Sequence, residues 1–350
     1  MPCQGQHCFP DRRGGRVSAG QKPLSRWKRF RYHLEAAFLE LLAALLPRLS
    51  RKLFVRVADA AGGIAFYLMA RERRIALSNL DIAFGQGKSL EEKRHIARSA
   101  FQTFARNFLG LFWMQRVRPE TLDRLVEVDA EGLQCLRDCH ARGKGVIFIT
   151  LHYGEWELLA LATALRGLPT NIVAEELRNP HVTRILDRLR GCGGNRIISQ
   201  RFAMTKLFKA LRHGDCVALL IDLNALPRRG GIWLDFFGKP VFAHSGPAAL
   251  ALYTGAAIIG CVAHPLPDGR LRIVYGPEIR HEITGDDDVD LQALNQQCLG
   301  FCEDIIRRQP AYWLWFYKRW RFRPTAEQGG YPDYSHQIGQ VRPLAEAASR

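Results

Sequence analysis

Apolar and polar positions along this 350-residue chain follow two periods, and the change falls near Gly145. Before it, apolar residues recur every three or four positions. Phe101, Phe104, Phe108, Leu111 and Phe112 share one helical face, and Ser89-Leu-Glu-Glu carries the Ser and Glu that begin a helix. Residues 36–46 are an apolar run interrupted by Glu40, and residues 53–70 carry Arg56 and Asp59. Neither is a clean stretch of about twenty apolar residues, so amphipathic helices are expected rather than a simple membrane span. After Gly145, residues 146–150, 171–174, 196–199 and 217–222 are short β-rich apolar runs separated by helix-like or loop segments. That alternation predicts βαβ units in a largely parallel sheet covered by helices on both faces. Residues 258–264 and 271–275, joined by Pro267-Asp268-Gly269, predict a hairpin, and 291–308 is helical again. The expected organisation is a disordered segment 1–22, a basic helical part 23–142 with membrane-interface helices, an α/β core 143–323 and a flexible polar tail 324–350.

Composition adds one feature. At 47% hydrophobic and 24% charged residues the chain is an ordinary globular one, which excludes a disordered, collagen-like or polytopic membrane protein. Its formal net charge of +16 is not ordinary, and predicts an anionic partner: phosphate-rich lipid, nucleic acid or an acidic carrier protein. Through residue 74 there are fifteen Lys and Arg against five Asp and Glu, with Trp27, Phe30 and Tyr32 interleaved among Arg26, Lys28, Arg29 and Arg31. Aromatics beside cations on amphipathic helices suit a membrane surface. Residues 307–323 repeat the mixture with no carboxylate and read either as a headgroup-contacting segment or as a last core element. No nucleic-acid-binding motif is present, so nucleic acid is not expected as a partner. The nine cysteines are odd in number and lack a CxxC pair, which favours reduced thiols in a cytosolic setting and no metal site. No secretory signal is expected.

The chemistry concentrates in Val146-Ile-Phe-Ile-Thr-Leu-His-Tyr-Gly-Glu-Trp-Glu. An apolar strand ends at Thr150, His152 follows at its carboxyl edge, Gly154 permits a sharp turn, and a helix begins near Glu155. Ligand sites of α/β sheets gather at such crossings. Glu157, in the first helical turn, is expected to reach back to one imidazole nitrogen, fixing the tautomer and stabilising the imidazolium. That dyad suits deprotonation of an alcohol. Gly-x-Ser-x-Gly is absent, so direct transfer without a covalent enzyme intermediate is favoured.

His152-x₄-Glu157 resembles the H(x)₄(D/E) motif of the bacterial lipid A biosynthesis acyltransferases, the lauroyl/myristoyl-transferring branch of the lysophospholipid acyltransferase superfamily. The resemblance spans roughly residues 35–323, in family order. Its blocks are Arg73-Arg74…Asn79-Leu80…Phe84, Arg178-Asn179-Pro180, Arg184…Arg190…Gly194, the strand ending in Asp222, Asp235-Phe236-Phe237-Gly238-Lys239-Pro240, and Trp313-Leu-Trp315…Lys318-Arg319-Trp320. It implies a fatty acyl transfer from a thioester, carried by acyl carrier protein or coenzyme A, to a hydroxyl of a lipid A precursor or related anionic glycolipid. The setting implied is the cytoplasmic face of a bacterial inner membrane, with no cofactor. On that pattern His152 is the base and Glu157 its partner. Arg178, Arg190 or backbone amides near Gly154 would stabilise the oxyanion. Asp222 would brace the site, with Asn224 standing for a family Gln that Leu223 replaces. Phe236, Phe237 and Gly238 would shape the acyl groove. Departures at Leu223, at Glu175, where an arginine is expected, and around Ala243-His244-Ser245 leave the acceptor open to another glycolipid, an ornithine-type lipid or a lysophospholipid.

Overall fold

The computed structural model describes residues 25–227, 230–326 and 329–338; the segment 1–22, expected to be disordered, lies outside them. The N-terminal part folds as α1 (Arg26–Leu45), α2 (Arg51–Leu68), α3 (Ala70–Phe84), α4 (Leu90–Trp113) and α5 (Pro119–Leu125). The Ser89 box opens α4 as its sequence predicts: Ser89 Oγ accepts the Glu92 amide at 3.2 Å while the Glu92 carboxylate accepts the Ser89 amide at 2.7 Å.

Then follow β1 (Val126–Val128), α6 (Ala130–Ala141), β2 (Val146–Thr150), α7 (Trp156–Leu165), β3 (Thr170–Ala174), α8 (Pro180–Arg190), β4 (Arg196–Ser199), α9 (Ala203–Arg212) and β5 (Cys216–Leu220). An antiparallel hairpin, β6 (Ile232–Phe236) with β7 (Lys239–Ala243), leads into α10 (Gly246–Thr254), β8 (Ala257–Pro265), β9 (Leu271–Ile279) and α11 (Asp287–Arg308). Seven strands form one sheet in the order β1-β9-β8-β2-β5-β3-β4. Every neighbouring pair is parallel except the β8–β9 hairpin. This is the expected α/β architecture.

Helices cover both faces, so the central strand is apolar on both sides. Ile147 and Ile149 of β2 pack into one core with Leu207, Leu211 and Val262, while Val146 and Phe148 pack into the other with Leu39, Phe54 and Leu158. The two cores separate α9 and α10 from α1, α7 and α8.

Two boundaries differ from the sequence expectation, and a third segment left open between two readings takes one of them. Strand β1 lies inside the stretch read as helical and pairs with β9; three residues are too few to carry a strand period. The aromatic segment after α11 is core: Trp313, Trp315 and Trp320 are each at most 1% exposed, and Arg319 is fully buried among them. Of the tail expected to be loose from residue 324, the described part up to residue 338 returns to the body. There β10 (Phe322–Arg323) pairs with β11 (His336–Gln337), and the Tyr331 hydroxyl donates to the Pro240 carbonyl at 2.9 Å. Single polar contacts of this kind leave no periodic trace in a sequence.

Candidate active site

His152 stands two residues beyond β2, at the carboxyl edge shared by β2, β5, β3, β4 and β8. The turn that presents it needs glycine two residues on. Gly154 has φ +59°, and a Cβ there would lie 1.9 Å from the Ala263 carbonyl oxygen. A C-terminal strap closes over the turn: the Gly154 amide donates to the Tyr312 carbonyl at 3.0 Å, and the Leu314 amide to the His152 carbonyl at 3.1 Å.

The imidazole partner is Asp222, not Glu157. His152 Nδ1 lies 2.9 Å from Asp222 Oδ1, and Asp222 Oδ2 accepts the His152 amide at 2.9 Å and the Trp313 indole N–H at 2.8 Å. The Asp222 side chain is 1% exposed and that of His152 19%. Burial alone would raise the Asp222 pKa. The facing His152 and the hydrogen bonds from the His152 ring, the indole and the His152 amide outweigh it and hold the carboxyl below its ordinary value. An ionised carboxylate only accepts hydrogen bonds, so Nδ1 carries the proton and Nε2 is the basic nitrogen. The Trp156 ring meets the imidazole edge to face at 5.1 Å and packs in turn on Phe104 of α4.

Glu157 is turned to another task. Its carboxylate is clamped by Arg190, with Nη2 at 2.7 Å and Nε at 3.0 Å from Oε1, and its amide donates to Asn107 Oδ1 at 3.0 Å. Burial lowers the Arg190 pKa, but the carboxylate opposite more than reverses that. Helix geometry explains the correction: the first turn of α7 faces α8 and α4, whereas the loop after β5 lies directly beside His152. Sequence spacing alone favours the nearer carboxylate.

The other expected site residues divide. Arg178 is exposed in the loop before α8. The amides of Gly154, Glu155 and Glu157 are all taken by protein acceptors, so these three are not free as oxyanion donors. Asn224 ties the strap down, donating to the Lys318 carbonyl at 2.9 Å and accepting from Arg319 Nη1 at 3.0 Å. Phe236 and Phe237 are buried core rather than groove lining. Phe236 lies against Trp313 and Trp320, and Phe237 against Trp315 with the Arg307 guanidinium over its ring. Gly238, at φ +70°, makes the β6–β7 turn. Trp313 was not among the expected site residues; its signal was its place in the C-terminal aromatic block. A second carboxylate beside the turn, Glu155, is 1% exposed and paired with Arg51, whose Nε donates to the Gly269 carbonyl at 2.8 Å.

Among the described residues no single helix is long and apolar enough to cross a membrane. One face of α1 nevertheless leaves Trp27, Phe30, Leu34, Phe38, Leu41 and Leu45 exposed at helical spacing, beside exposed Arg26, Arg29 and Arg31.

Comparison with known proteins gives this geometry a context. Residues 19–322 match the model for the bacterial lipid A biosynthesis acyltransferase family. The lipid A biosynthesis lauroyltransferase of Escherichia coli is 23% identical over 294 residues, 82% of this chain and 91% of the relative. The lipid A biosynthesis palmitoleoyltransferase of Escherichia coli is 25% identical, over 77% of this chain and 85% of the relative. A phosphatidylinositol mannoside acyltransferase of Mycobacterium tuberculosis is 26% identical over 46% of this chain and 52% of its own length.

Proposed function

The chain belongs to the bacterial lipid A biosynthesis acyltransferase family and is an acyltransferase; from that premise we propose that it transfers a fatty acyl chain from a thioester to a lipid A precursor hydroxyl. His152 is the general base. Asp222 holds Nδ1–H, so Nε2 takes the acceptor's hydroxyl proton as the oxygen attacks the thioester carbonyl. The tetrahedral intermediate collapses with loss of the thiolate, and the imidazolium returns the proton to sulfur. Asp222 stays ionised throughout, orienting the ring and stabilising its charged form. Base catalysis of this kind contributes about 10²–10⁴ in rate. The observation that carries the reading is the rim imidazole held at 2.9 Å by a buried carboxylate.

The setting proposed is the cytoplasmic face of a bacterial inner membrane. The exposed aromatic and aliphatic stripe of α1, with its flanking cations, supports docking on anionic lipid. Replacing Trp27, Phe30 and Leu34 by serine is expected to release the protein from anionic vesicles in a flotation assay; undiminished binding overturns that placement. A second acceptor reading, another glycolipid, is favoured by the likeness to the mannoside acyltransferase.

Mass spectrometry of total lipid from cells with and without the gene separates these. An acyl shift in lipid A supports the first acceptor and a shift in another glycolipid the second. No lipid change overturns the proposed transfer.

A further inference from the structure

We infer that α9 and the turn before it form the docking surface for an acidic protein that delivers the acyl thioester. The inference rests on the thioester donor proposed above, takes that donor to be carrier-borne, and concerns where the carrier docks. Residues 201–213 hold Arg201, Lys206, Lys209 and Arg212 and no carboxylate. Leu207, Ala210 and Leu211 are buried against the sheet, which leaves Lys209 and Arg212 on the outward crest and Lys206 and Phe208 on its flanks, all exposed. Among the described residues none of Lys206, Lys209 and Arg212 makes an ion pair, unlike Arg188 and Arg190 of α8, which pair with Glu40 and Glu157. The crest is therefore an uncompensated positive surface bordered by aromatic rings, the composition that recognises an acidic, partly apolar protein face.

The turn adds an independent mark. Phe202 is 73% exposed and sits at φ +58°, in the left-handed region that bulky residues avoid. Such strain in a solvent-facing aromatic is retained where the ring has a use. The turn lies at the same carboxyl edge as His152, three strands away across β5 and β3, or about 14 Å at the usual strand spacing. A flexible prosthetic arm can bridge that gap.

Two alternative occupants fit less well. A nucleotide needs a concave cleft that surrounds it, whereas these cations line the outer crest of one helix. A membrane would meet the exposed stripe of α1, and α1 and α9 pack on opposite faces of the sheet.

The test is binding of acidic acyl carrier protein to the full-length chain and to a Lys206→Glu/Lys209→Glu/Arg212→Glu variant, followed by fluorescence anisotropy and independent of turnover. The wild-type protein is expected to bind with an affinity that falls as salt rises, and the variant at least about ten-fold more weakly. Phe202→Ala, which leaves the charges in place, is expected to weaken binding with its salt dependence kept. Vesicle binding and the rate with lauroyl-coenzyme A should be unchanged in the triple variant. Equal carrier affinity in the wild-type and triple variants overturns the inference, as does loss of vesicle binding in step with carrier binding. A protein that binds carrier at α9 but transfers from no thioester would instead refute the proposed reaction alone.

Discussion

Nδ1 of His152 lies 2.9 Å from Oδ1 of Asp222, seventy positions further along the chain, and the same carboxylate also receives the His152 backbone amide. Two bonds to one residue fix both the position of the loop and the tautomer of the ring. Asp222→Asn keeps the shape but offers an amide that can donate to Nδ1, which would move the proton to Nε2 and remove the base. The expected result is a fall in kcat of about 10²–10⁴ with KM little changed, measured by steady-state transfer kinetics. His152→Ala should fall at least as far. A near-wild-type Asp222→Asn enzyme would exclude this carboxylate from the base.

Trp313 is one of the groups that keep that carboxylate ionised. Its indole N–H is one of the bonds that hold the Asp222 pKa below the ordinary carboxylate value. A group with a depressed folded pKa contributes stability above its unfolded pKa and loses it as pH falls through the folded one. Trp313→Phe removes a hydrogen bond to a charged group, about 1.5–3 kcal/mol, or roughly one to two pH units at 1.36 kcal/mol per unit. The acid limb of the activity profile and the acid-unfolding midpoint should both move to higher pH. An acid limb that stays in place would show that the indole does not tune the carboxylate.

The fold was largely legible because its central strands are buried on both faces and read as continuous apolar runs, as at residues 146–150. His152 was legible because a polar ring directly after such a run must sit at the sheet edge. Its partner was less so: Glu157 is five residues away in sequence, but its helix turns the side chain toward Arg190, and only the β2–β5 pairing brings Asp222 alongside. The terminal aromatics read equally as interface or core, since composition does not reveal which face a strap presents. Here Trp313, Trp315 and Trp320 are buried.

Glu157 and Arg190 form a partly buried pair joining α7 to α8, so their loss should act on structure first. Removing one partner of a fully buried pair costs about 3–5 kcal/mol; partial exposure and solvent screening reduce this to about 2 kcal/mol. Glu157→Gln and Arg190→Met should each lower stability by that amount in denaturant unfolding, and the double variant should lose less than their sum. Both single variants should retain more kcat than Asp222→Asn. A Glu157→Gln enzyme as inactive as Asp222→Asn, with stability intact, would return Glu157 to the imidazole.

Asn79 of α3 holds the strap that in turn holds Trp313 over Asp222. Its Nδ2 donates to the Trp315 and Tyr317 carbonyls, each at 2.7 Å, and its Oδ1 accepts from the Tyr334 hydroxyl. Asn79→Ala strips the donor from two acceptors inside the protein, at about 1–3 kcal/mol each. Tyr334→Phe removes only a hydroxyl and should cost about 1 kcal/mol. Because the Leu314 amide also bonds the His152 carbonyl, a loosened strap should lower activity beyond what stability alone predicts. Thermal unfolding and transfer assays on both variants, run well below their Tm, separate the two effects. If Asn79→Ala lowers Tm but leaves kcat and the acid limb at wild-type values, the strap supports the fold without positioning the site.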